Sequence, residues 1–376
     1  MTPYGTAAAP SMQALSIYAG PVARAHIEKN GLQPSDIGVI PGAAGGPKGL
    51  ILGPLDRFVF GDWLAASTHA IDLVGASIGA WRMATACLRD PSDQPSQAFK
   101  RLEYDYIHQH YELAPGQKRV SAQYVSERFG QNLADFYGGR IDEVLNHPRY
   151  RLHIITSRGR HILGKENTLR TPIGYFGAFL TNTVHRKAMG AWLERVVFSA
   201  NDATLPFSTH DYRTRQVRLT SANFMPALQA SCSIPFVLQS VRNIPGAPPG
   251  AYWDGGITDY HLHLNYAKAG EISASKLVLY PHFQKSVVPG WLDKNLKWRH
   301  KATRSLDNVI LLAPNPDWVK TLPNAKLPDR NDFTHYGNDL AGRVKAWTAA
   351  TSASQQLANE FATWLRAPDL KQVSPL

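Results

Sequence analysis

Residues 37–88 constrain the fold more than any other part of the chain, because short apolar runs alternate there with glycine-rich turns and helical patterns. Residues 37–40 and 70–75 are apolar runs that we interpret as buried strands. A glycine-rich loop leads from the first run into a helical pattern over residues 50–63, and a sharp turn leads from the second into a helix over residues 78–88. This order of elements predicts a parallel α/β sheet.

The rest of the chain continues the alternation less regularly. A helix is predicted at residues 21–30, because Pro21 suits a first helical turn and Gly31 suits the end of a helix. Further apolar runs predict strands, and further helical patterns predict helices. The strands are predicted at residues 152–156, 216–220, 277–280 and 309–312, the helices at residues 99–111, 142–146 and 339–365, and a Pro/Gly-rich loop at residues 243–250.

No boundary in this pattern divides the chain. We therefore predict one domain over residues 1–376, with a motif-bearing core at about residues 37–256, C-terminal helices at about residues 339–366, and inserted helical segments that resemble lids. Hydrophobic residues make up 44% of the chain, which is ample for a large core. With 10% aromatic and only 18% charged residues, the composition excludes a disordered chain and a coiled coil.

The charge balance favours anionic partners. The 40 Lys and Arg residues exceed the 29 Asp and Glu residues, so the net charge is +11 at pH 7, which suits nucleic acid, anionic lipid headgroups or acidic substrates. Residues 291–304 combine basic residues with two tryptophans. Such a segment suits an anionic membrane surface, single-stranded nucleic acid or plain exposure to solvent. We expect peripheral contact with anionic membranes and no specific nucleic-acid partner.

Neither a membrane span nor a secretory leader is expected. No run of about 18 apolar residues occurs, and residues 1–10 contain no basic residue and no long apolar stretch. The two cysteines, Cys87 and Cys232, cannot form a disulfide framework or a cysteine-based zinc site. These features predict a soluble cytoplasmic protein.

Residues 75–79, Gly-Ala-Ser-Ile-Gly, form a G-x-S-x-G pattern between the second predicted strand and its helix. The pattern places Ser77 on a tight strand-to-helix turn, where small neighbours leave the crowded turn free of side chains. Ser77 is therefore a candidate nucleophile. The alternative is a serine that only caps the first helical turn.

The glycine-rich loop at residues 42–49 is a candidate oxyanion site. It differs from a phosphate-binding loop, because Pro47 precedes the lysine and a glycine follows it, which leaves no Ser or Thr for magnesium. Backbone N–H groups at a helix start can point at a developing oxyanion, and Gly45 and Gly46 allow close approach. Lys48 adds positive charge. A plain glycine-rich strand–helix connection is the alternative.

An aspartate followed by two glycines, at residues 254–256, is a candidate general base. Tyr252 and Trp253 precede Asp254 as a short aromatic run. A serine hydroxyl is a weak nucleophile and needs an adjacent base, and a partly desolvated carboxylate with a raised pKa can act as one. A simple turn is the alternative interpretation.

Taken in order, these motifs resemble the patatin-like phospholipase family, the serine acyl hydrolases with a Ser–Asp dyad. The family's oxyanion loop, its G-x-S-x-G and its D-G-G are matched at residues 45–49, 75–79 and 254–256. Residues 230–235, Ala-Ser-Cys-Ser-Ile-Pro, resemble the family's A-S-x-x-x-P segment. The resemblance implies an α/β fold, a three-layer α/β/α sandwich with a mainly parallel central sheet.

The resemblance also implies an activity and a site. Lipid acyl esters would be hydrolysed, by an activity of the phospholipase A, lysophospholipase or carboxylesterase kind, without a metal or an organic cofactor. Ser77 would be the nucleophile and Asp254 the base. The oxyanion donors would be the amides of Gly45, Gly46 and Lys48.

The chain departs from the family pattern at two places. Ala44 stands where the family usually has the first glycine of the oxyanion loop. After the Asp-Gly-Gly motif, residues 257–261 lack the Asn and Pro that the family often has. These departures leave the substrate open among lipid and other esters.

Two other interpretations remain open from the sequence. An ordinary α/β-hydrolase orders its triad Ser, Asp, His, and Asp254 followed by His282 or His300 satisfies that order. The other candidate histidines are His153, His161, His261 and His263, of which the last two alternate along a possible strand and weakly suggest a metal site. A non-catalytic lipid- or nucleic-acid-binding protein on the same fold is the second alternative.

Overall fold

The computed structural model describes residues 12–89, 96–112, 120–266 and 277–376. An eleven-stranded, mostly parallel sheet forms the centre of the described chain. Its strands are β1 (Leu15–Ala19), β2 (Ile37–Gly42), β3 (Ile71–Ala76), β4 (Tyr150–Gly159), β5 (Leu193–Ser199), β6 (Thr214–Arg218), β7 (Val241–Arg242), β8 (Ala251–Asp254), β9 (Leu277–Pro281), β10 (Val309–Pro314) and β11 (Val373–Pro375).

The strand order is β11-β1-β10-β9-β2-β3-β4-β5-β6, and β8 pairs with both β4 and β7. The central strands β10, β9, β2, β3 and β4 are parallel to one another, whereas β1–β10, β4–β5, β4–β8 and β7–β8 are antiparallel pairs. Every residue of β2, β3, β9 and β10 is buried, so both faces of the sheet centre are covered. The predicted α/β class with a mainly parallel central sheet is therefore confirmed.

Helices connect and cover the strands. The α-helices of the described residues are α1 (Pro21–Asn30), α2 (Gly53–Asp56), α3 (Ile78–Ala86), α4 (Ser96–His108), α5 (Ala122–Tyr137), α6 (Ile141–Leu145), α7 (Arg170–Val184), α8 (Phe224–Cys232), α9 (Pro316–Val319), α10 (Asn331–Tyr336), α11 (Leu340–Ala353) and α12 (Gln355–Arg366). Helix α2 is the middle of an irregular helical stretch, which begins with a 3-10 helix at Gly46–Leu52 and continues as a π-helix at Arg57–Trp63.

Most predicted elements are confirmed with small shifts of their ends. The regular helix expected over residues 50–63 is wrong in detail, because that stretch changes from 3-10 to α to π geometry. Among the elements that were not predicted are β1, β5, α5, α7 and α8. The Pro/Gly-rich loop lies between β7 and β8, as expected.

Strands β3 and β8 lie end to end along the same side of β4, with their C-terminal ends facing each other. Strand β3 pairs in parallel with the first half of β4, as far as Ala76 opposite Ile155. Strand β8 pairs antiparallel with the second half, and its last residue, Asp254, lies opposite Thr156. Because Ile155 and Thr156 are adjacent, the C-terminal ends of β3 and β8 converge. The sheet itself thus brings together two of the sequence motifs.

Candidate active site

Ser77 lies at the sharp turn between β3 and α3. Its backbone has φ 57° and ψ −131°, an unfavourable conformation for a residue with a side chain. The flanking glycines make the turn possible, because a Cβ atom at Gly75 would lie 2.4 Å from Ala80 Cα and one at Gly79 would lie 1.8 Å from the carbonyl oxygen of Gly42. The G-x-S-x-G motif therefore forms the predicted strained elbow, and the serine does not cap α3 through its side chain.

Ser77 and Asp254 are in direct contact. Ser77 Oγ donates a 2.8 Å hydrogen bond to Asp254 Oδ2, and both residues are buried. The other carboxylate oxygen, Asp254 Oδ1, accepts a 2.7 Å hydrogen bond from the Gly256 amide. This amide fixes the carboxylate orientation, so that one oxygen faces the serine hydroxyl.

Burial sets the proton affinity of the aspartate. Removal from water raises the pKa of Asp254 above its ordinary 3.8, and the positive charge of Arg330 and the hydrogen bonds from Ser77 and Gly256 oppose that rise. A carboxylate with a raised pKa is a stronger base than an exposed one. The Ser77–Asp254 pair therefore has the geometry and the electrostatics that proton removal from a serine hydroxyl requires.

Ser231 links the Ser77 elbow to strand β4 through two hydrogen bonds. The Ser77 amide donates a 3.0 Å hydrogen bond to Ser231 Oγ, which in turn donates a 2.7 Å hydrogen bond to the carbonyl oxygen of Ile155 on β4. Ser231 is fully buried on α8. It belongs to the 230–235 segment noticed in the sequence, but its role as a bridge between the elbow and the sheet was not predicted.

The glycine-rich loop borders the same site. The Ala44 amide donates to the carbonyl oxygen of Tyr260, and the Ala44 methyl lies close to Gly256, where an added Cβ atom would be 2.6 Å away. Gly46 lines the same cavity as Ser77, and Gly45 lines a second cavity with Asp254. Ala44, which departs from the family pattern, thus packs against the Asp-Gly-Gly turn.

Lys48 follows the loop and points its side chain into the second cavity. Its Nζ lies 5.3 Å from the centre of the Phe283 ring, and burial lowers the pKa of the amine. Phe283 also packs against Gly45, where an added Cβ atom would be 2.5 Å from the ring. Lys48 therefore brings a partly desolvated positive charge beside the loop amides.

Two cavities of different character meet at the Ser77–Asp254 pair. The larger has a volume of about 940 Å³, contains Ser77 in its wall and is lined mainly by aromatic and aliphatic side chains. Among them are Ile78, Trp81, Phe129, Leu238 and Phe333. The smaller has a volume of about 280 Å³ and contains Asp254 in its wall. Both cavities are bordered by Ile234 and Arg330.

The candidate histidines lie elsewhere. His282 Nδ1 contacts the carbonyl oxygen of Gln284, and burial lowers the pKa of this imidazole to about 3. His300 Nε2 contacts the carbonyl oxygen of Asp293. Neither makes a hydrogen bond to Ser77 or Asp254, so the structure does not assemble the Ser-Asp-His alternative from these residues.

Three of the remaining histidine candidates are held by other partners, and the fourth, His161, is exposed. His153 contacts Asp72 and Ser199. His261 Nδ1 contacts the carbonyl oxygen of Ser286, whereas His263 contacts the Val287 carbonyl oxygen and Thr303 Oγ1. These separate partners do not support the weak suggestion of a shared metal site.

The basic segment over residues 291–304 differs from the surface patch expected. Arg299 is not a free surface charge, because it forms a 2.8 Å ion pair with the buried Asp293. Lys294 lines the smaller cavity, and Trp291 packs partly buried against a hydrophobic cluster that includes Trp253. Trp298 remains 64% exposed.

No described helix is both long enough and apolar enough to cross a membrane. No protein-family model and no curated protein matches the sequence. Among solved structures, human GIVD cytosolic phospholipase A2 aligns over 94% of this chain with 12% identity and a TM-score of 0.31. The aligned part is 63% of that protein, so this chain spans less than two thirds of its length. A likeness at this level supports no argument about function, which therefore depends on the geometry of the site.

Proposed function

We propose that this protein is a serine acyl hydrolase of lipid esters, with Ser77 as nucleophile and Asp254 as its base. The observation that supports the proposal most directly is the 2.8 Å hydrogen bond from Ser77 Oγ to Asp254 Oδ2, inside a strained strand-to-helix elbow that opens onto a cavity. A buried serine hydroxyl that donates to a buried carboxylate, on a turn that costs backbone energy, is arranged for chemistry and not for stability.

The proposed reaction has two halves. In the first, Ser77 Oγ attacks the ester carbonyl carbon while its proton passes to Asp254, and the tetrahedral intermediate then collapses. The alcohol leaves with that proton, and the acyl group stays on Ser77. In the second half, water attacks the acyl-enzyme, its proton passes to Asp254 and then to Ser77 Oγ, and the carboxylic acid is released.

The oxyanion of each tetrahedral intermediate needs hydrogen-bond donors. We propose the amides of Gly45, Gly46 and Lys48 for this role, because the loop borders both cavities beside the Ser77–Asp254 pair. The Ser77 amide is not proposed as a donor, because it already donates a hydrogen bond to Ser231 Oγ. The nucleophile, the base and these donors belong to the protein itself, so the proposed chemistry needs no metal and no organic cofactor.

The size and lining of the larger cavity suit the acyl chain of an ester substrate. Its volume of about 940 Å³ exceeds what a short acyl group needs, and its aromatic and aliphatic walls exclude water from the chain. Together with the order of the three motifs, this cavity favours an activity of the patatin-like phospholipase kind over an esterase for small polar esters.

A panel of p-nitrophenyl esters of increasing acyl length, followed by monoacylglycerols and phospholipids, tests the proposal. We expect kcat/KM to rise with acyl length, because each methylene group contributes about 0.8 kcal/mol when it leaves water. We expect Ser77→Ala to remove this activity. No hydrolysis of any ester by the wild-type protein would contradict the proposal.

A further inference from the structure

The smaller cavity collects positive charge beside the proposed nucleophile. Lys48, Lys294 and Arg330 all line it, and none of their side chains forms an ion pair or a hydrogen bond with another described residue. The carboxylates in the same wall are engaged elsewhere, Asp254 by Ser77 and Gly256, and Asp329 by Lys326 at 2.8 Å. The wall thus carries three cations against two carboxylates, and neither carboxylate bonds directly to any of the three cations. This excess of positive charge favours an anionic ligand.

Aromatic rings and glycines hold these cations in place. Lys294 Nζ lies 4.2 Å from the centre of the Tyr260 ring, and the Tyr260 carbonyl oxygen in turn accepts the Ala44 amide. Arg330 lies against the glycine-rich loop, because a Cβ atom at Gly46 would be 3.2 Å from Arg330 Nε. Lys294 and Arg330 therefore lie beside the same loop that we propose as the oxyanion site, although Arg330 is exposed.

The positive charges repel one another. Burial, together with the nearby charges of Arg330 and Lys48, lowers the pKa of Lys294 to about 8, and the carboxylate of Asp254 only partly offsets this. An anion placed among the three would reverse the repulsion and hold Lys294 in its charged form.

We infer that the smaller cavity binds a phosphate group of the substrate, attached to the alcohol side of the scissile ester. This inference rests on the proposed function, because it places the acyl chain in the larger cavity and the alcohol portion in the smaller one. The cavities share Ile234 and Arg330 at their border, so a molecule that spans them carries its ester past Ser77. Lys294 and Arg330 then act as specificity-determining residues, and their guanidinium and ammonium groups bind phosphate oxygens.

A matched pair of substrates tests the inference. A monoacylglycerol and its phosphate monoester carry the same ester and the same acyl chain, and they differ only in the anion. We expect the wild-type protein to prefer the phosphate ester in kcat/KM by about tenfold or more, as charge-assisted hydrogen bonds predict. Lys294→Gln and Arg330→Gln should each reduce this preference severalfold. The control Lys29→Gln removes an exposed lysine on α1 that lies outside the cavity, and it should keep the preference.

A binding experiment separates this inference from the proposed function. Isothermal titration with glycerol 3-phosphate and with inorganic phosphate does not depend on turnover. Weaker binding of either anion to Lys294→Gln than to Lys29→Gln supports the site, even if no ester is hydrolysed. Binding of glycerol 3-phosphate alone assigns a headgroup, and binding of both anions assigns a general phosphate site. Equal hydrolysis of the two esters, with neither anion bound, would overturn the inference and leave the hydrolase standing.

A different observation supports a second inference, about the outer surface of α7. One face of this helix exposes large apolar side chains at spacings of three and four residues, the period of a helical stripe. The exposed fractions are 75% for Leu169, 61% for Ile173, 62% for Phe176, 47% for Leu180 and 85% for Val184. The opposite face is buried, with Tyr175, Ala178 and Asn182 packed inward. This stripe is defined here as the α7 face.

The buried face of α7 contacts the wall of the larger cavity. The Tyr175 ring lies 6.1 Å from the ring of Phe236, centre to centre. Phe236 and Val237 are 62% and 48% exposed and also line the cavity that contains Ser77. Phe236 has a φ of 68°, a strained conformation for a bulky residue that presents an apolar ring to solvent.

Basic residues lie at both ends of the α7 face. Near its start, Lys165 and Arg170 are exposed. Near its end, Arg299 donates to the carbonyl oxygen of Thr183, which places the exposed residues Lys297 and Trp298 beside the helix. An exposed apolar stripe between basic ends, on a helix that packs against a cavity wall, is complementary to an anionic lipid surface.

We propose that the α7 face binds the surface of an anionic bilayer, with the apolar side chains among the acyl chains and the basic ends at the headgroups. Co-sedimentation with phosphatidylglycerol and phosphatidylcholine vesicles tests this. We expect wild-type protein to bind phosphatidylglycerol vesicles more strongly, and salt to reduce the difference. The double variant Ile173→Ser/Phe176→Ser should lose most of the binding on both lipids. Val22→Ser, which removes a 54% exposed apolar side chain on α1, is the matched control.

Two results would overturn this proposal. One is equal sedimentation of the wild-type protein and the Ile173→Ser/Phe176→Ser variant. The other is a wild-type dimer that ignores vesicles and dissociates in this variant, which would make the α7 face a contact between two copies of the chain. Circular dichroism of the variant checks that the helix is intact.

Discussion

Ala76 and Asp254 end two strands that run toward each other along the same side of β4, opposite the adjacent residues Ile155 and Thr156. Ser77 follows Ala76 directly, and its hydroxyl therefore reaches the Asp254 carboxylate at 2.8 Å. The pair is positioned by sheet register and not by flexible loops. A functional pair held in this way needs little rearrangement before it reacts.

The first prediction concerns the base. Asp254→Asn should reduce kcat by about 10³-fold or more, because the amide cannot take the proton from Ser77. His300→Ala and His282→Gln should stay within severalfold of the wild type, since neither side chain contacts the pair. Steady-state kinetics on a long-chain p-nitrophenyl ester measures all three. A histidine variant as damaged as Asp254→Asn would replace the dyad with a triad.

The second prediction is a pH profile. Asp254 must be deprotonated to act as base, and burial raises its pKa, so kcat/KM should rise with pH through a value above the ordinary 3.8. For the phosphate ester alone, kcat/KM should fall again as Lys294 loses its charge near its pKa of about 8. Profiles for the phosphate ester and its uncharged partner check both limbs. If kcat/KM fell equally for both esters at alkaline pH, deprotonation of Lys294 would not be the cause of the fall.

The third prediction concerns the packing of the elbow. Gly79→Ala should destabilise the fold by about 2 kcal/mol or more, because the added Cβ atom would lie 1.8 Å from the Gly42 carbonyl oxygen and force the elbow and β2 apart. Gly61→Ala is the matched control, since nothing lies within 4 Å of its added Cβ atom. It should be neutral or slightly stabilising. Urea unfolding compares the two, and equal midpoints would show that the elbow tolerates the methyl group.

The fourth prediction concerns Ser231. Ser231→Ala leaves the Ser77 amide and the Ile155 carbonyl oxygen buried without this partner, which should cost about 1–3 kcal/mol of stability. The elbow should also loosen, so kcat should fall more than KM changes. Ser233→Ala, whose hydroxyl bonds only to a carbonyl oxygen of its own helix, is the control and should have a smaller effect on kcat. Equal kcat values would make Ser231 a purely structural residue.

The central α/β order could be predicted from the sequence because β2, β3, β9 and β10 are continuous apolar runs, as strands buried on both faces are. Strand β5 was missed because Glu194 and Arg195 interrupt its apolar run. Both are buried and form ion pairs, Arg195 with Asp259 at 2.6 Å and Glu194 with Arg158 at 2.8 Å. The sequence does not show that these buried charges are paired, whereas the folded structure does.

The sequence likewise identified some residues of the candidate site and missed the roles of others. Ser77, Asp254 and the glycine-rich loop belong to local motifs with distinctive spacing, so the sequence alone identified them as candidates. Ser231 and Lys294 lie in segments that the sequence analysis singled out, but their roles depend on contacts that span long stretches of chain. No local pattern marks Arg330. Helix α7 was missed because its exposed face is apolar, which breaks the usual pattern of a surface helix.

A fluorophosphonate probe tests the central proposal most directly, because it reacts only with an activated serine. Intact-mass spectrometry followed by peptide mapping locates the adduct. The account predicts one adduct on the wild-type protein, at Ser77, and none on Ser77→Ala or Asp254→Asn at matched time and concentration. An unlabelled wild-type protein, an adduct on another serine, or undiminished labelling of Asp254→Asn would contradict the Ser77–Asp254 dyad.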